Sequence, residues 1–150
     1  MAIAVPGFLE VDINECLEIE DENGGQLARA GGTAHVVKAR VSDGRLAEQY
    51  NCSKVAVKLF GSNQKLDSFR YEVTLMGALP DSPYLVKILG YCENPMGIIM
   101  KYYPLGLDHI LALKDKYKDA RTRVRMALDI ATGMQILHSK GIIHFDLKPG

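Results

Sequence analysis

Near its C-terminal end the sequence reads G-I-I-H-F-D-L-K-P from Gly141 to Pro149, and three side chains in that run can do chemistry. His144, Asp146 and Lys148 follow one another at two-residue spacing: an imidazole, a carboxylate and an ammonium. A set this compact can move a proton and neutralise developing negative charge. A bare His-x-Asp is common, so the rest of the chain has to supply partners. Lys58 is a cation inside the apolar run K-V-A-V-K-L-F, where it must find a partner or reach solvent. Glu72 falls on the apolar side of a helical pattern, and an inward carboxylate needs a cation. Lys58 is the candidate; a Glu at the edge of the stripe reaching water is the alternative. Gly31 and Gly32 lie between apolar stretches. Without a Cβ, such a turn lets backbone N–H groups approach phosphate oxygens, although alone it reads as a hairpin turn.

These residues need elements to hold them. Lys54 to Phe60 reads as a strand, with Val55 and Val57 on one face and Ala56 and Lys58 on the other. From Ser62 to Leu79, apolar residues at Leu66, Phe69, Val73, Met76 and Leu79 step by three and four, which predicts an amphipathic helix. Ser62 or Asn63 is its expected cap, and Pro80-Asp81-Ser82-Pro83 ends it. Tyr84 to Tyr91 and Gly97 to Tyr102 read as a strand pair turned at Glu93-Asn94-Pro95. Leu107, Ile110 and Leu111 start a short helix. Thr122 to Ser139 is apolar nearly all round, which predicts a helix inside a larger core, with His138 as a structural histidine at its end. Upstream, Phe8 to Glu20 alternates with period two and reads as one or two half-buried strands before an Asn23-Gly24 turn. Nothing chemical is visible there. Ser42 to Ser53, polar and containing Asp43-Gly44, reads as a loop.

The run His-x-Asp-Leu-Lys-Pro, preceded in order by the Gly31-Gly32 turn, the V-A-V-K strand and the inward Glu72, resembles the eukaryotic protein kinase domain. The resemblance covers Leu27 to Gly150, the first part of such a domain. It implies that Asp146 is the base accepting a substrate hydroxyl proton and that Lys148 neutralises charge on the transferred phosphate. It implies Lys58 on the α- and β-phosphates of ATP, paired with Glu72. Gly31 and Gly32 would belong to the Gly-rich loop, with Val36 and Ala56 against the adenine. Met100 would limit depth behind the adenine, and Lys101 to Tyr103 would form the hinge offering backbone groups to its edge. Met76 and Ile88 would join a hydrophobic column at the inner end of the helix. Lysine at position 148 resembles Ser/Thr kinases, and the helix and hinge resemble the tyrosine-kinase-like group.

The sequence also departs from that pattern. In the register ending on Val36, Arg29 and Ala34 stand where the first and third glycines would be. Phe145 replaces the usual arginine that binds an activation-loop phosphate, a resemblance to the non-RD kinases. The metal-binding Asn and the D-F-G triplet do not occur in these positions of the 150 residues. The expectation is a truncated product with no useful phosphotransfer of its own, and with an apolar patch on its long helix.

Composition bounds the partners. A hydrophobic fraction of 47% and a charged fraction of 24% are globular values. The net charge is zero, so nothing points to nucleic acid or an anionic membrane. Cys16, Cys52 and Cys92 are far apart and show no metal spacing, which suggests reduced thiols in a cytosolic or nuclear protein, with a cytoplasmic location expected. No signal-peptide or membrane-spanning pattern is visible.

The expected fold is therefore α+β: a small lobe of twisted antiparallel sheet plus one helix, then the first helices of a large lobe. Residues 1–26 are expected as a lead-in, 27–103 as small lobe and hinge, and 104–150 as the start of the large lobe. The expected function is ATP- and Mg2+-dependent phosphoryl transfer to a serine or threonine hydroxyl of a protein substrate. The alternatives are a pseudokinase that binds nucleotide and a non-catalytic lobe that binds another protein.

Overall fold

The computed structural model describes residues 9–20, 34–61, 63–113 and 119–149. Gly31, Gly32, Arg29, the Asn23-Gly24 turn and the expected cap Ser62 lie outside the described residues. The chain divides into two compact units. One comprises Met1–Pro80 with Val86–Tyr102, and the other Asp81–Leu85 with Tyr103–Gly150.

The first unit is built on a six-stranded sheet. Its strands are β1 (Leu9–Glu10), β2 (Leu17–Ile19), β3 (Ala34–Val41), β4 (Lys54–Phe60), β5 (Ile88–Glu93) and β6 (Met96–Lys101), in the order β1-β5-β6-β4-β3-β2. The α+β class stands as expected. The sheet is mixed, because β1 adds to β5 in parallel while every other pairing is antiparallel. Val55 and Val57 are buried on one face of β4. They form a core with Val37, Ala39, Val41 and Ile99. The other face carries Ile88, Tyr91 and Ile98 under Phe69 and Val73 of the helix α3 (Leu66–Gly77), with Met76 packed alongside.

Three readings of the sequence change here. Period-two alternation over residues 8–20 predicted strands alone, yet a four-residue helix α1 (Ile13–Cys16) separates β1 from β2. Asp12 causes it, accepting from the Asn14 N–H at 2.9 Å and the Glu15 N–H at 3.3 Å. Residues 42–53 contain a helix α2 (Gly44–Tyr50) rather than only loop. Asp43 caps it by accepting from the Leu46 N–H at 2.8 Å, and Asn51 ends it in the left-handed region at φ 51°. The Asp-Gly pair that reads as a turn is thus a helix start. The strand expected from Tyr84 begins only at Ile88. The Lys101 N–H donates to Lys87 O at 3.0 Å and β6 ends there, so residues before Lys87 have no strand to pair with.

Helix α3 starts at Leu66, later than expected, and Lys65 at its N-cap offers no side-chain acceptor. Its periodicity is otherwise as read: Phe69 and Val73 are buried, while Leu66 in the first turn is exposed.

The second unit contains α4 (Leu107–Ala112) and α5 (Ala120–Ser139). Asp119 caps α5, accepting from the Thr122 N–H at 2.8 Å. The helix ends with the Ile142 N–H on Leu137 O, the Gly141 N–H on His138 O, and Gly141 at φ +71°, the Schellman arrangement. The apolar patch expected on α5 is present. Gly133 and Leu137 are its buried residues, whereas Val124 is 67% exposed and Leu128 is also exposed. His138, expected at the end of a buried helix, is exposed. Among the described residues of this unit, too little chain surrounds α5 to cover its circumference. No helix among the described residues is long and apolar enough to cross a membrane.

Candidate functional site

Strand pairing decides which side chains share a face. Val36 stands opposite Lys58, and Lys58 opposite Ile98. In the next row Lys38 stands opposite Ala56, and Ala56 opposite Met100. Directly paired residues point to the same side of a sheet. Val36, Lys58, Lys38, Ala56 and Met100 therefore lie on one face, the face that carries α3. Val36 is exposed, and Ala56 and Met100 are half-buried.

Lys58 meets Glu72 on this face. Lys58 Nζ donates to Glu72 Oε1 at 2.5 Å, with the two side chains 30% and 31% exposed. Lys58 Nζ also lies 4.9 Å from the Phe60 ring centroid. Helix α3 is held in place by a second link. Arg70 forks onto Glu93 of β5 at 2.7 and 3.0 Å, which holds the Glu93 carboxyl below the usual carboxylate range.

Lys101 differs from its neighbours. It stands opposite Val55, so its side chain lies on the other face from Ala56 and Met100. Its N–H is engaged by Lys87 O. Tyr103 belongs to the second unit and is exposed.

In the second unit, Lys148 Nζ lies 2.9 Å from Asp146 Oδ2 and 3.2 Å from Oδ1. That hydrogen bond and its charge hold the Asp146 carboxyl below the usual range, so it stays ionised. The Asp146 N–H donates to His144 O at 2.8 Å, and His144 Nδ1 lies 3.3 Å from the same N–H. Between them Phe145 adopts φ 56° and is 89% exposed. A Phe in the left-handed region is strained. The Asp108 N–H donates to Pro149 O at 3.0 Å, tying the run to the start of α4.

Sequence reading passed over one cluster. Glu20 accepts from Lys38 at 2.7 Å, with Arg40 at 3.5 Å and Lys54 at 3.8 Å. Chiefly through the Lys38 hydrogen bond, this company lowers the Glu20 pKa. Lys38 is 8% exposed, and its Nζ lies 5.6 Å from the Tyr102 ring centroid. The available signal was a cation, Lys38, in phase with Ala56 on a strand otherwise rich in valine.

A family model described as protein tyrosine and serine/threonine kinase matches residues 26–149. A probable serine/threonine-protein kinase of Dictyostelium discoideum is 39% identical over 107 residues, covering 63% of this chain and 8% of that protein. Integrin-linked protein kinase 1 of Arabidopsis thaliana is 33% identical, covering 75% and 26%. Serine/threonine-protein kinase 12 of the same plant is 39% identical, covering 67% and 23%. The chain thus spans about a quarter or less of these relatives.

Proposed function

Because the chain belongs to the protein tyrosine and serine/threonine kinase family, we propose that its sheet face binds ATP and that its Asp146 run serves phosphoryl transfer to a protein serine or threonine hydroxyl. The observation that carries the nucleotide reading is the Lys58–Glu72 pair on the same face as Val36, Ala56 and Met100. The residues fit such a ligand. The small Ala56 and half-buried Met100 leave an apolar floor for a flat base, and Lys58 presents a fixed cation to its phosphates. Glu72 holds that cation in one place, so less ordering is needed when an anion arrives. The Lys101 N–H is committed to Lys87, so base recognition at that residue falls to its carbonyl.

ATP supplies the phosphoryl group. Asp146, kept ionised by Lys148, accepts the proton of the attacking hydroxyl, and Lys148 stands beside the charge that builds there. The domain reading is 27–103 as small lobe and hinge and 104–150 as the start of the large lobe. Phe145, standing where the usual arginine would be, supports reading the chain as a non-RD kinase. Gly31, Gly32 and Tyr103 remain part of the proposed nucleotide contacts. Three free cysteines support a cytoplasmic setting.

Magnesium fits less well. Among the described residues no three His, Cys, Asp or Glu side chains cluster as a metal-ligand set. Nucleotide binding is accordingly the activity to measure in these 150 residues. Calorimetric titration with ATP, with and without Mg2+, should show binding that Lys58→Met weakens. No binding by folded wild-type protein would overturn the reading.

A further inference from the structure

The strands β1 and β2 are neighbours in sequence but occupy opposite edges of the sheet. Six strands laid flat at about 4.8 Å spacing set their edges about 24 Å apart. Residues 11–16, four of them helical, reach only about 16 Å. The sheet must therefore curl, and residues 9–20 form a strap across the face opposite Lys58. Val11, Ile13 and Leu17 of the strap are buried in the core of that face. Ile13 seats on Gly97 of β6: a Cβ added there would stand 2.6 Å from Ile13 Cδ1. This strap lies ahead of residue 26, where the family match starts.

The strap ends on Glu20. Its N–H donates to Lys38 O at 2.9 Å and its carboxylate receives Lys38 Nζ, so one residue engages both backbone and side chain of Lys38. Lys38 shares a cross-sheet row with Ala56 and Met100, and its ammonium lies against the ring of Tyr102, the residue after β6. A buried ammonium held beside a carboxylate has little freedom to move. The Tyr102 ring centroid lies 5.6 Å from that ammonium.

We propose that the strap positions the base-recognition edge of the nucleotide site, with Glu20 holding Lys38 and Lys38 holding Tyr102. Lys38 and Glu20 are positioning residues and touch no nucleotide. The proposal rests on the nucleotide reading above and adds that residues ahead of the family match set the affinity for the base.

The test uses the full 150-residue chain and adenosine, which lacks phosphates, beside ATP. Glu20→Gln should weaken adenosine binding by about threefold to tenfold, the range of a partly buried cation–aromatic contact. Tyr102→Leu should do the same, while Tyr102→Phe, which keeps the ring, should bind as wild type. The double variant Glu20→Gln/Tyr102→Leu should be no weaker than the worse single variant, because the two act in series. A purely structural effect would be additive and would be matched by Ile13→Val, which loosens the strap without touching the pair. Wild-type adenosine affinity in Glu20→Gln, additivity, or an equal loss in Ile13→Val would each overturn the proposal. If Glu20→Gln does not fold, the Tyr102→Leu and Tyr102→Phe contrast decides. Binding of neither ATP nor adenosine by the wild type would sink the nucleotide reading itself, and this proposal with it.

Discussion

Lys58 of β4 and Glu72 of α3 meet at 2.5 Å across 14 positions of sequence, joining the sheet to the helix packed on it. Neither is fully buried, so the pair adds little to stability. Its consequence is a cation of fixed position. Lys58→Met should cost about tenfold or more in ATP affinity, the size of a hydrogen bond to a charged group. Glu72→Gln should cost less, since it frees the lysine without removing it. Calorimetry on samples with unchanged circular dichroism checks both, and equal affinity in Lys58→Met would remove Lys58 from the site.

Asp146 should titrate below the ordinary aspartate range, because Lys148 hydrogen-bonds its ionised form. For a depressed carboxyl, the favourable contribution is present above the unfolded pKa and is lost as pH falls through the folded one. In Lys148→Ala the Asp146 pKa should rise toward the usual value. Carboxyl carbon shifts of labelled aspartate, followed against pH, report this directly. An unchanged midpoint would show that the contact does not persist in solution.

Tyr50 carries a buried hydroxyl with no hydrogen-bond partner among the described residues, and burial pushes its pKa up to about 12. The folded state then holds its proton where the unfolded state has lost it. Stability should be unaffected below pH 10 and decline between pH 10 and about 12. Tyr50→Phe should abolish that part of the decline. At neutral pH it should be neutral or stabilising by about 1 kcal/mol, since an unsatisfied hydroxyl is removed from the core. Urea melts at several pH values decide it; a clear loss of stability at neutral pH would indicate a partner for the hydroxyl.

Gly133 lies mid-helix in α5, where alanine is ordinarily worth about 1 kcal/mol over glycine. Here a Cβ would stand 2.6 Å from the backbone carbonyl oxygen of Tyr84, which cannot rotate away. Gly133→Ala should therefore lower stability by about 1–3 kcal/mol. A raised melting temperature would show that the helix and the Tyr84 segment separate easily.

The sequence alone was enough for the α+β class, strand β4, helix α3 and the run from His144 to Lys148. Each depends on short-range signals: period two, period three to four, or residues within five positions of one another. It misread residues 42–53 and 13–16, because Asp43-Gly44 and Asp12 serve as turn residues and helix caps with equal ease. It read α5 as apolar nearly all round and expected an apolar patch on it, and Val124 and Leu128 are exposed.

Tertiary structure decided the rest. The Lys58–Glu72 pair was only one of two readings until the packing of Phe69 and Val73 on the sheet set the rotation of α3. Nothing in residues 9–20 announces a role, since their alternation fits any edge strand. Their assignment to both edges of one sheet, and Glu20's hold on Lys38, arise because hydrogen-bond pairing joins strands that sequence keeps apart. Local pattern selects the kind of element, whereas the partner of a buried charge is chosen by which elements the core brings face to face.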